Sequence, residues 1–295
     1  MGAINLPTRR NEAWKYSDLR AALADAPITD EIAARASQPV IVQLAAAADA
    51  LEHVTLDAGQ SAVRLERLEA AAFEAKALQI DLAPGASMTR IVVQDGSAVA
   101  LNLVRVKLAA GAVFRQFVLA FGAKLARLET HVDIEGEAAA VALNGVYLCG
   151  PERHCDLTSE VNHKVASGHT RQLIKGAARR GGRGVFQGKI LVARGAQKTD
   201  AEQHHDALLL EDGAEIYAKP ELEIHADDVA CAHGNTIGAL DDQALFYMRQ
   251  RGAPKAVAEA MLVDAFLRGA IPDWLPEAVA PEVDHRIAQW LEGQS

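Results

Sequence analysis

The sequence predicts a mainly β fold flanked by helical regions, and three observations carry that reading. Between about residues 81 and 240 the chain breaks into short β-type runs bounded by turn residues, among them "RIVVQ", "VALNLVRVKL", "VFRQFVLAF" and "GVYLC". The same stretch repeats an apolar residue, two spacers and a Gly, as "LAPGA" at 82, "LAAGA" at 108, "VARGA" at 192 and "LEDGA" at 210. Outside it, apolar residues return to helical spacing. Strands recurring at intervals of roughly 20–30 residues with Gly at the corners point to a stacked solenoid such as a parallel β-helix. A β-sandwich or jelly roll with ordinary Gly turns is the alternative that the repeat leaves open.

Residues 1–80 form a helical, later mixed, region. Trp14, Leu19 and Leu23 follow a helical spacing, and Thr29 or Asp30 can cap a short helix over "TDEIAARA". The segment "EAWKYSDL" is expected to cap the first turn of a solenoid, with a mobile arm packed on the solenoid or a partner as the alternative. Residues 81–240 form the β core. In the C-terminal helical region, 241–295, "PKAVAEAMLVDAFLRG" has Pro254 suited to a helix start and Gly269 to its end. Ala258, Met261, Leu262, Ala265 and Phe266 make its expected core stripe. Val257, Val263 and Leu267 lie beyond that stripe and are read as a second, partner-binding surface. A last helix from 282 to 291 puts Val283, Ile287, Trp290 and Leu291 on one side.

The 295 residues are 50% hydrophobic and 23% charged, enough for a sizeable core, and the net charge of -9 argues against a phosphate-driven nucleic-acid binder. No apolar run is long enough to span a membrane and the first residues lack the apolar stretch of a signal peptide, so a cytoplasmic chain is expected. Three cysteines, Cys149, Cys155 and Cys231, do not make a disulfide framework.

Most apparent motifs dissolve on inspection. "RGVFQGKI" has Arg183 where a P-loop needs Gly and Ile190 where it needs Ser or Thr, so no nucleotide site is expected in this chain. His204 and His205 in "EQHHDA" would point to opposite faces of a strand. Cys155 beside His154 offers a weak case for a reactive thiolate. GxSxG, HExxH and CxxC are absent. The paired carboxylates Asp227/Asp228 and Asp241/Asp242 leave room for a β-helix carbohydrate-active enzyme, although aromatic content is only 5%, poor for stacking on sugars.

In "VACAHGNTIG", Cys231 and His233 sit two apart and would share one face of a strand, able to serve one metal. Val229 has the same parity, so all three could instead face a core, with Cys acting as a small hydrophobe.

The stretch from Gly188 to Leu267, with "GAQKTDAEQ", "KPELEIHADDVACAHGNTIG" and "LFYMRQRG" in that order, closely resembles the core of the SufB and SufD family of iron-sulfur cluster assembly proteins. "PTRRNEAWKYSDL" resembles the SufD-type opening of that family. The resemblance implies a right-handed parallel β-helix between helical ends. It further implies a non-catalytic scaffold subunit that pairs with a SufB-like subunit through the end of its β-helix and docks a SufC-like ATPase through its C-terminal helices. Cys231 and His233 match the family's Cys-x-His strand, which implies a contribution to a transient iron-sulfur cluster shared with the SufB-like partner. A homodimer in isolation and a reduced flavin in the complex remain compatible with it, with no nucleic-acid or membrane partner. The chain is shorter than members of the family usually are, which implies abbreviated β-helix turns or N-terminal helices.

Overall fold

The structure is a computed structural model and describes residues 6–24, 40–47 and 49–293. The expected "TDEIAARA" helix, with Thr29 and Asp30, lies outside the described residues.

A chain whose strands alternate between two walls can repeat indefinitely, and the described residues hold fourteen such strands. The strands are β1 (Leu51–Leu56), β2 (Ser61–Leu68), β3 (Glu74–Leu82), β4 (Ser87–Gln94), β5 (Val99–Leu108), β6 (Val113–Ala120) and β7 (Leu125–Ile134), then β8 (Ala140–Cys149), β9 (His154–His163), β10 (His169–Ala178), β11 (Arg183–Val192), β12 (Asp200–Leu209), β13 (Glu215–Ile224) and β14 (Ala230–Gly238). Odd strands stack in chain order into one seven-stranded sheet and even strands into a second. Every ladder is parallel, as a β-helix requires. The first strand begins at Leu51 rather than near residue 81. The signal for this earlier start is "LDAGQ" at 56, another copy of the corner repeat.

The repeat marks one corner of the coil. Leu56, Leu82, Leu108 and Ile134 stand opposite one another in register. The turn after them needs one left-handed residue per rung, supplied by Gly59, Gly85 and Gly111 at φ 73°, 68° and 64° and then by Ala138, Ser167 and Lys198 at 57°, 60° and 63°. "LEDGA" belongs to the other corner, where the Gly181 amide donates to the Gly213 carbonyl, which explains its irregular spacing from "VARGA". Residues facing across one rung are 26 apart near the start, as Arg90 and Gln116 are; this becomes 29 for Arg127 and Asp156 and 32 for Arg183 and Glu215. The coil therefore widens along its axis. Part of the added width is filled by Tyr147, whose ring passes over Gly176, where a Cβ would come within 1.9 Å of Cζ.

Alternation sends one set of side chains into the lumen, where Ile80, Val106, Val132, Val161 and Ile190 form the main core. The outward set is covered on both sheets. On the odd sheet, α2 (Val40–Ala47) and the segment with α1 (Leu19–Ala22) pack Trp14, Leu19, Leu23, Ile41 and Leu44 against Ala75, Val99, Leu101 and Leu125. This segment does not cap the first turn as the sequence reading expected. It runs along the wall, from the Tyr16 ring stacked on Tyr217 of β13 and Glu12 paired with Lys219, to Leu19 and Leu23. The reason is a buried charge cluster on that wall. Arg127, 1% exposed, bonds Glu129 and Asp156 at 2.6 Å each and carries the Trp14 ring over its guanidinium at 4.0 Å. Ser17 donates to Asp156 from above. The aromatic ring and the hydroxyl of this segment together cover those charges.

The even sheet is covered by α4 (Lys255–Arg268) and α5 (Ala280–Leu291), preceded by α3 (Asp242–Gln250). Val283, Ile287 and Trp290 of α5 face inward as their spacing predicts. In α4 the phase differs from the expected one: Val263 and Leu267 are buried against Phe117, Leu119, Val146 and Leu148, while Met261 is 55% exposed. Val263 and Leu267 complete an apolar wall, each burial worth roughly 1.5–3 kcal/mol, which outweighs the helix's own weak sidedness. Val257 is the one member of the expected outward trio that is exposed.

Candidate functional site at the open end of the solenoid

β13 and β14 are the last strands of their sheets, so each has a neighbour on one side only. Their outer N–H and C=O groups form an uncovered edge. Pro220, in the middle of β13, fits that position because it lacks the N–H that a central strand would need.

The register decides where Cys231 and His233 point. Cys231 stands opposite Ala201 and His233 opposite Gln203, both wholly buried in the lumen. The His233 position continues a lumen-facing file through Gln203, Gln172, Leu143, Gln116 and Arg90. Cys231, with Val229, packs partly against the main core, whereas His233 is exposed. Both therefore have interior orientation without interior burial. Burial pushes the Cys231 thiol above its ordinary pKa, and the Asp200 charge adds to this against a hydrogen bond from the Ala201 backbone. The thiol is protonated at neutral pH, so metal binding there must expel a proton.

Thiol and imidazole are fitting donors for iron, but two side chains do not complete a four-coordinate site. Among the described residues no group of three or more His, Cys, Asp or Glu side chains could hold a metal ion. Among the described residues Cys231 and His233 have no third such side chain to join them.

The other sequence candidates take structural places. His204 is exposed and His205 buried, on opposite faces as adjacent strand residues must be. Cys155 lies in the core, its thiol pushed well above its ordinary value by a hydrogen bond with Cys149 and by burial, which is the opposite of a reactive thiolate. Neighbouring His154 is held at about 4 by burial and sits 3.3 Å from the Ser17 hydroxyl. Residues 183–190 lie inside strand β11 and form no phosphate loop. Asp241 is spent capping α3, and Asp228 pairs with Lys198 on a turn.

Comparison with known proteins addresses the family directly. Residues 40–266 match the family model described as SUF system FeS cluster assembly, SufBD core domain. The chain belongs to the SufBD family. The SufD iron-sulfur cluster assembly protein of Escherichia coli K12 is 36% identical over 172 residues, 58% of this chain and 41% of that protein. An iron-sulfur cluster assembly SufBD family protein of Synechocystis is 34% identical over 202 residues, 68% and 44% of the two chains. This SufBD chain thus spans less than half the length of these curated relatives. No helix among its described residues is long and apolar enough to cross a membrane.

Proposed function

We propose that this SufBD-family chain is a SufD-type, non-catalytic scaffold subunit in iron-sulfur cluster assembly. Its open rung pairs with a SufB-like subunit, and Cys231 and His233 supply two ligands to a nascent cluster completed by that partner. One observation carries this: the two side chains point into the lumen as core residues do, yet Cys231 is only half-buried and His233 is exposed. A second chain adding strands at β13 and β14 would satisfy the free edge and enclose the pair in one step. Loss of His233 is then expected to leave the fold intact. His233→Ala, in the complex assembled with its partners, should keep the parent unfolding temperature and co-purification while bound iron and sulfide fall sharply after anaerobic reconstitution. Full cluster content in that variant would remove His233 from the site.

The C-terminal helices offer the surface for a SufC-like ATPase. Phe246 and Tyr247 of α3 and Val257 and Met261 of α4 are 64%, 58%, 48% and 55% exposed, large side chains that these helices leave to solvent. Val257→Asp combined with Met261→Glu should weaken co-purification with the ATPase and change stability by no more than about 0.5 kcal/mol, as exposed substitutions do. Undiminished co-purification would place the ATPase elsewhere. The rival reading, a carbohydrate-active enzyme, has less to act with, because one carboxylate of each acidic pair is engaged, Asp241 in capping α3 and Asp228 in an ion pair with Lys198.

A further inference from the structure

Beside Cys231 and His233 on β14 stands a third lumen-facing side chain, Asn235, about 7 Å beyond His233 along the strand. Its register partner on β12 is His205. His205 is fully buried, its ring nearly parallel to those of Tyr147 and Phe186 at centroid distances of 5.8 and 4.8 Å. Its Nδ1 lies 2.6 Å from the amide oxygen of Asn235, and its Nε2 lies 3.0 Å from the Tyr147 hydroxyl.

These contacts fix the protons. An amide oxygen only accepts, so Nδ1 carries the hydrogen; Nε2 is then bare and accepts from the Tyr147 hydroxyl. Burial also lowers the imidazole's pKa, which keeps the ring neutral. Two aromatic neighbours and two hydrogen bonds hold His205 in a single pose. That pose in turn ties the Asn235 oxygen toward the lumen. The amide NH2 is left as the outward pole of Asn235, on the exposed rung that carries the Cys-x-His pair.

We propose that Asn235 donates an N–H···S hydrogen bond to an anionic sulfur, sulfide or thiolate, at the Cys231–His233 site, and that His205 and Tyr147 are the positioning residues that aim it. The proposal rests on reading that pair as cluster ligands. A hydrogen bond to sulfur withdraws negative charge and favours the more reduced state of an iron-sulfur centre. The donor would therefore make the nascent cluster easier to reduce.

Two variants separate the donor from a mere anchor. Asn235→Asp keeps an acceptor for the His205 N–H but offers no N–H of its own; Asn235→Ala keeps neither. In the complex with SufB-like and SufC-like partners, reconstituted anaerobically, both variants should shift the reduction potential of the cluster to more negative values, Asp the further because it adds charge. A simple anchor predicts instead that Ala leaves the potential where it is and that Asp shifts it only through its added charge. His233→Ala is run alongside. Loss of the cluster in His233→Ala with an unchanged potential in Asn235→Ala overturns this inference and leaves the ligand reading standing. A full cluster in His233→Ala overturns both. Independently of any cluster, ¹⁵N spectra of the histidine-labelled chain, with the His205 signals assigned by their absence in His205→Gln, should show hydrogen on Nδ1. Hydrogen on Nε2 would mean that the amide is turned the other way, and the inference falls.

Discussion

Arg127→Met is expected to lower the stability of the chain by about 3–5 kcal/mol, the range for breaking a buried ion pair from one side. The size follows from what is left behind. Asp156 has no exposure and Glu129 only 7%, and both take a charged hydrogen bond of 2.6 Å from the one guanidinium. Met fills most of the volume but neutralises neither carboxylate. The Trp14 ring loses the cation beneath it, so the covering segment should loosen as well. Urea unfolding followed by circular dichroism should show a lower midpoint with an unchanged slope, and limited proteolysis should cut within residues 6–24 sooner than in the parent chain. A loss below about 1 kcal/mol would mean that water solvates those carboxylates once the guanidinium is gone.

Acid should unfold the chain in two overlapping stages. Burial holds His154 and His163 at about 4, against about 6.5 in an unfolded chain. Between those values the unfolded state binds protons that the folded state refuses, so stability falls as pH falls from about 6.5 to about 4. Each histidine contributes up to about 3 kcal/mol of that loss. Glu129 acts lower. Its burial would raise the carboxyl, but Arg127 and His131 outweigh burial and hold it at about 2, against an ordinary value of 4.5. Its contribution, again about 3 kcal/mol, is complete above about pH 4.5 and is lost as pH falls toward 2. Unfolding free energies measured from pH 7.5 to 3 should decline steadily below about 6.5, and His163→Gln should flatten the upper part of that decline. A flat profile between pH 7 and 5 would contradict the burial of both histidines.

What the sequence made legible was whatever a local pattern encodes. The solenoid was readable because one corner takes a left-handed residue on each of its first six rungs, which leaves Gly recurring at a constant interval at the start of the chain. Cys231 and His233 were readable as a same-face pair because strand parity is strictly two. Three features needed information that no window of sequence contains. "LARLETHVDI" looks half solvated, with Arg127 and Glu129 at outward positions, yet a segment more than a hundred residues earlier covers them. The phase of α4 was set by the wall it meets, and a helix apolar on more than one face carries no preference strong enough to announce it. Asn235 gave no signal at all, since its contact with His205 exists only once β14 lies on β12.

The one-sided pairing of β13 and β14 makes the molecule behave like a row of coupled units with a loose end. In such a row each unit draws its cohesion from its neighbours, and a terminal unit has half of that support. Amide protons of the last two strands should exchange with solvent at rates set by local fraying, far faster than those of the central strands. A bound chain that continues both ladders would act thermodynamically as one more unit of the row. The order of the final rung, and with it the alignment of every side chain on β14, would then depend on that chain's concentration through mass action, so that assembly and the completion of folding would become one equilibrium.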